Sequence, residues 1–283
     1  MGSFIGHAIP GSFFFIAGLW WIVAVLYRYL KLGFHQRNQF VSSPTFSIVN
    51  CRCGQVDVES VVGIIVSSIG VFVEIFAACI IVGRPIGYSN MQHSTMYLAF
   101  GLVAAASVAR PKLAANFGNV DKLMYVFLAA AFLCEGLLFN FHLFGRNNLD
   151  VTVHKLLLYT IWLGAAMTIG ELFYQDSVLL ALGRGFFTLC QGTWFWQAGF
   201  ILYNPIPNAT PWDSENHHQM MLVACFFTWH VAAIFIGTLI LAFIMSLVLR
   251  SKRNTNSISL QDVATSRQQY TSLVHEIDDP FEE

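Results

Sequence analysis

KLMYVFLAAAFLCEGLLFNFHL, residues 122–143, is apolar for long enough to cross a bilayer as a helix, yet it carries Glu135 and His142. A carboxyl or imidazole group in hydrocarbon is costly unless it is paired, hydrated or coordinated. The two residues lie seven apart and so share one helix face. Six further apolar runs lie around this one, at about 9–30, 60–82, 91–109, 152–173, 179–203 and 219–249. The expected fold is therefore an all-α membrane protein: a bundle of seven transmembrane helices over residues 1–250. The last run is longer than a bilayer requires and should tilt or project. Pro10, Pro85, Pro111 and the Pro205/Pro207/Pro211 group are expected at or near helix ends.

Composition agrees. Hydrophobic residues make up 56% of the 283 and charged residues 11%, with a mean hydropathy of +0.60. A soluble domain carries about 25% charged residues. The net charge of −1 comes with no basic stripe interleaved with aromatics, so nucleic acid is not an expected partner; the lipid bilayer is. The first run lacks a basic flank before it, as Arg28, Lys31 and Arg37 all follow, so it does not read as a cleavable signal peptide. Gly6 stands where a myristoylation pattern needs Ser or Thr. Four of the six cysteines (Cys79, Cys134, Cys190, Cys225) lie in apolar runs, and Cys51-Arg52-Cys53 in a loop is too sparse for a metal knuckle or a disulfide framework.

Basic residues set the expected orientation. The first loop holds Lys31, Arg37 and Arg52, the third Arg110, Lys112 and Lys122, and the segment after the last run Arg250, Lys252 and Arg253. The alternate loops are poor in them. The positive-inside rule then places the N-terminus outside or in the lumen and the C-terminus in the cytosol. The sequon Asn208-Ala209-Thr210 falls in the sixth loop, on the expected outer face, as a glycosylation acceptor. Residues 251–283 read as a disordered cytosolic tail. Within it, Tyr270-Thr271-Ser272-Leu273 fits a Tyr-x-x-apolar signal for sorting adaptors.

Topology sorts the polar groups by depth. Glu74, His93, Glu135, His142, His154, Gln197 and His217 or His218 fall in the outer half, and His7 just before the first run joins them. Glu59 and Glu171 fall at the cytosolic edge, and His230 lies deep. Gln191, Trp194 and Gln197 recur as one stripe. Imidazole and carboxylate suit a divalent transition metal such as zinc, with His93, Glu135, His142, His154 and His217 as ligands and Glu74, His7, Gln197, His218 and His230 behind them. The same groups suit proton uptake. Taken singly, a histidine at a helix end is ordinary at a wet interface, a lone His230 reads as a satisfied core residue, and Glu135 serves equally well to lock two helices. Trp20 and Trp21 read as packing or interface residues. Gly63, Ser67 and Gly70 permit close helix approach, within one chain or between two.

Several motifs resemble the transmembrane protein 45 family. They are Gly6-His7-Ala8-Ile9-Pro10-Gly11-Ser12 with Gly18-Leu19-Trp20-Trp21; His93-Ser94-Thr95-Met96-Tyr97; Cys134-Glu135-Gly136 with His142; Gly145-Arg146 with Leu149-Asp150 and His154; Gln191 through Phe200; and Trp229-His230. The resemblance implies a seven-helix protein of the endomembrane system (endosome, lysosome or Golgi) or the plasma membrane, and assigns no catalytic residues. Phe144 stands where family members tend to carry a second histidine, which weakens any metal site built on it.

No Gly-rich phosphate loop, HExxH, G-x-S-x-G or CxxC is present, so an enzyme is not the leading expectation. The alternatives are a lumenal metal-dependent lipid hydrolase, which the wide spacing of histidines on the seventh run disfavours, and a small-solute or proton transporter, for which no internal repeat speaks.

Overall fold

Ser3 accepts the Gly6 amide at 3.0 Å and so starts helix α1 (Phe4–Leu32) well before its apolar run begins. Pro10 is consequently inside α1, not at its end. The computed structural model describes residues 2–46, 49–51, 54–81, 83, 85–118 and 120–277. After a 3-10 turn (Phe34–Gln39), two three-residue strands, β1 (Val49–Cys51) and β2 (Gly54–Val56), pair antiparallel in the first loop of an otherwise helical protein. Asp57 caps α2 (Val58–Phe72), which continues as a π-helical segment (Val73–Ile81). Then follow α3 (Tyr88–Phe117), α4 (Val120–His142), α5 (Asn148–Phe173), α6 (Val178–Leu202) and α7 (His217–Ile277). Pro111 also lies inside its helix, since α3 runs on through the expected third loop.

The chain divides into two units, residues 1–238 and 239–283. The second contains the remainder of α7. The polar stretch from 251, which composition marks as a disordered tail, is helical to Ile277. It contains no Gly, and no Pro before Pro280, to break a helix. Cys53 and Arg52 lie outside the described residues, as do the side chains of Cys51, Tyr270 and Leu273.

In the first unit, α1 and α6 run antiparallel at backbone contact. A Cβ on Gly192 would meet the Phe15 backbone, and one on Gly18 the backbone of Leu189. Gly11 faces the Gly192 carbonyl, Gly185 faces Ile22, and Gly199 faces His7. Heptad-spaced glycines on both helices thus make one seam. Chain neighbours also pack antiparallel. Gly63, Ser67 and Gly70 of α2 meet Ala104, Gly101 and Tyr97 of α3, so that small-residue stripe is used within one chain. Gly136 of α4 lies under Trp162 of α5, and Gly183 of α6 meets Met167 of α5. Alternation brings the start of α1 to the same end as the starts of α3, α5 and α7.

Among the described residues six helices are long and apolar enough to cross a membrane: α1, α2, α3, α4, α5 and α7. The expected sixth span, α6, is not among them. It carries Arg184, Thr188 and Gln191, all buried, and it spends those polar groups on the protein interior. Outward residues such as Ile65, Leu102, Leu137 and Leu163 are exposed and apolar, a surface suited to lipid.

The seam makes a quantitative expectation. Gly192→Ala should destabilise the chain by about 1–3 kcal/mol by forcing two backbones apart. Gly237→Ala, whose Cβ meets nothing within 4 Å, should be silent. Thermal unfolding of the detergent-purified variants measures both.

Candidate functional site

Five of the expected outer-half residues meet at the end of the bundle that holds the chain's start. His7 (α1) and His154 (α5) face each other with their Nε2 atoms 3.4 Å apart. Each ring is held from behind. His7 Nδ1 donates to the Ser3 carbonyl at 3.0 Å, one turn back. His154 Nδ1 donates to the Asp150 carbonyl at 2.9 Å and lies 2.7 Å from the Asp150 carboxylate. With both Nδ1 atoms used as donors, two Nε2 lone pairs point at one spot. Both rings are buried, at 8% and 2% exposure.

Around this pair the network continues across three helices. The His142 ring lies 5.9 Å from that of His154 and 5.2 Å from that of His93. His142 donates from Nδ1 to Gln92 Oε1 at 2.9 Å and accepts from Arg146 at Nε2. Gly145, at φ 76°, turns the chain between α4 and α5 in a conformation that side chains rarely adopt. Arg146 thereby folds back to donate to the His142 carbonyl and to both Asp150 oxygens, at 2.8 and 3.0 Å. His93 pairs with Glu74 Oε1 at 3.1 Å, and Asn90 donates to Glu74 Oε2 at 2.8 Å. The π-helical turn carries Glu74 to this position, a use such segments often serve.

The other expected residues stand elsewhere. Glu135 lies deeper, 1% exposed, and accepts from Gln191 Nε2 at 2.5 Å. Trp194, next on the same stripe, donates to the Val153 carbonyl at 2.9 Å. Gln197 is half-buried and makes no hydrogen bond to the cluster among the described residues. His217 and His218 are exposed and pair only with each other, at 6.3 Å between rings. Trp212 of the last loop packs against the core, while the two histidines that follow it stay outside the cluster. His230 is half-buried, edge-on to Trp194 at 5.6 Å. No three His, Cys, Asp or Glu residues among those described meet in a geometry that holds a metal ion. Asn208 is exposed, in a left-handed turn with φ 62°.

A second polar centre occupies the opposite end, and sequence reading saw only part of it. Arg184 (α6) and Glu171 (α5) form an ion pair of 2.6 Å in which both side chains are fully buried. Arg184 also donates to the Ser43 carbonyl at 2.9 Å and stacks over Trp21 at 4.3 Å. Tyr125 bridges Ser42 and Glu171. Glu59 accepts from both indoles, Trp20 at 3.0 Å and Trp21 at 2.6 Å, and from the Phe46 amide at 2.9 Å. Trp20 and Trp21 are therefore hydrogen-bond donors to a half-buried carboxyl group rather than plain packing residues. Arg184, thirteen residues from Glu171 across a tight turn, was the available signal for this centre.

Comparison with known proteins supports the same class. Residues 121–243 match a family of unknown function, DUF716. Over 249 residues the chain is 28% identical to transmembrane epididymal protein 1 of Rattus norvegicus, covering 82% of this chain and 77% of that protein. Transmembrane epididymal protein 1A of Mus musculus is 25% identical over the same shares. The Homo sapiens protein is 29% identical over 141 residues, half of each chain. This chain is an integral, multi-pass membrane protein. The matched segment spans α4, α5, α6 and the start of α7, and so includes Glu135, His142, His154, Glu171 and Arg184.

The buried ion pair should show the asymmetry of such pairs. Glu171→Leu alone strands the Arg184 guanidinium and should cost about 3–5 kcal/mol. The double variant Glu171→Leu/Arg184→Met should recover most of it. Unfolding midpoints of the two singles and the double, compared as a cycle, decide this.

Proposed function

We propose that this chain is a seven-span endomembrane protein of the transmembrane protein 45 type that takes up a proton between His7 and His154 on its lumenal or outer face. The supporting observation is the Nε2···Nε2 distance of 3.4 Å with both Nδ1 atoms already donating. Two neutral rings so placed repel through their lone pairs, and one proton shared between them removes the clash. Asp150 balances the resulting charge through His154, while Arg146 opposes a second proton. His142, His93, Glu74 and Tyr203 complete the groups facing the pair or its neighbours. α6 is read as the seventh span, shielded from lipid by its neighbours.

The orientation follows from the basic loops, with the N-terminus outside or in the lumen and the C-terminus cytosolic. Asn208 is then the glycan acceptor, and Tyr270 and Leu273 supply a cytosolic signal for sorting adaptors. Glycosidase-sensitive modification that disappears in Asn208→Gln is the expected result; modification of a sequon engineered into the first loop would reverse the orientation.

Nitrogen NMR of histidine-labelled protein tests the pair. A proton shared between the rings should register on His154 and His7 together and lose its coupling in His7→Gln. Rings that both stay neutral at every pH where the protein is folded would sink the proposal. A metal is the second reading, because two nitrogens about 2.0–2.1 Å from a tetrahedral ion lie about 3.3–3.4 Å apart. Stoichiometric zinc in the purified protein that is lost in His7→Gln/His154→Gln would favour it over the proton.

A further inference from the structure

Below the histidine cluster, between α1, the π-helical segment, α3, α4 and α6, lies a cavity of about 60 Å³. Five of its eleven lining residues are Phe or Tyr: Phe14, Tyr97, Phe100, Phe139 and Phe195, with Phe14 and Phe195 stacked on each other. Its ionisable lining is Glu74, His93 and Glu135, with no lysine or arginine. Glu135 is its most buried polar group, and Glu74 and His93 are the more exposed, at 18% and 27%. Both Glu74 oxygens are engaged, by His93 and Asn90. Glu135 uses Oε1 to accept from Gln191, while Oε2 has no partner among the described residues.

A buried carboxylate with one empty acceptor, walled by ring faces, calls for a ligand with two properties. It should be cationic, because ring faces attract cations and the carboxylate otherwise has no counter-charge. It should also bring an N–H, because Oε2 lacks a donor. A quaternary ammonium meets only the first condition. A hard metal cation wants about six oxygen ligands, and the two lining carboxyl groups leave one oxygen unengaged among the described residues. We propose that this cavity binds a primary ammonium group, which donates one N–H to Glu135 Oε2 and places its remaining surface against the aromatic walls. The space suits an ammonium head with a short stem, since a cavity needs only about 10–15 Å³ of such volume to hold one water. The group arrives either on a free small amine or as the ethanolamine head of a lipid. The site does not use His7 or His154, so it stands or falls apart from their proton.

Full-length protein in phosphatidylcholine nanodiscs, titrated with methylammonium, ethanolamine and tetramethylammonium by calorimetry and thermal shift, is the test. Saturable binding of the two primary amines, roughly tenfold or more tighter than tetramethylammonium, is expected, and Glu135→Gln should abolish it. Stabilisation by phosphatidylethanolamine nanodiscs without binding of the free amines would assign the lipid source. Where Glu135→Gln does not fold, Phe100→Leu, which thins one ring wall, should weaken binding several-fold. Unchanged affinity in both variants, or tetramethylammonium binding as tightly as methylammonium, overturns the proposal. So does the absence of any effect from free amines and phosphatidylethanolamine, which would leave Glu135 a protonated carboxyl paired with Gln191.

Discussion

The bundle depends on the backbone contact between α1 and α6. Gly18 and Gly192 leave no room for a side chain at the crossing, so the two helices approach as closely as backbones allow. In lipid, where helices gain little from apolar burial against one another, such contact is a main source of association. α6 then carries its neighbours' polar partners. Gln191 reaches Glu135 of α4, Trp194 reaches the Val153 carbonyl of α5, and Arg184 reaches Glu171 of α5. The same seam brings His7 beside Gly199 and opposite His154. A helix too polar to cross a membrane by composition alone is thus the one around which the others are arranged.

Hydrocarbon enforces the rest. A polar group inside it calls for a partner within the protein, and here two centres at opposite ends of the bundle gather many of them. One end gathers histidines around Asp150 and Arg146. The other gathers permanent charge, Arg184 with Glu171, and ties the first loop down through Ser42, Ser43 and Phe46. Glu135 lies between them with half its carboxylate unused.

Much of the architecture was readable as text. Apolar runs located the helices, and His7, Glu74, His93, His142 and His154 stand together at one end of the bundle. Helix ends were misread where a cap outweighed hydropathy, as Ser3 does ahead of Pro10 and as continued helix does past Pro111. His217 and His218 were assigned by depth, yet depth says nothing about azimuth, and they are exposed outside the cluster. Arg184 escaped notice because it stands alone in its apolar run, and its partner Glu171 lies on the preceding helix.

Sequence by itself determined that this chain lives in a membrane as antiparallel helices, because length and hydropathy are local properties of each segment. It also determined which residues are expensive to bury. Which of them touch was decided only by the tertiary structure. The partners of His7, Glu59 and Arg184 are 147, 39 and 141 residues away for the contacts to His154, Trp20 and Ser43, and no periodicity encodes such distances. They follow from helix rotation, and rotation follows from where the glycines let two backbones meet.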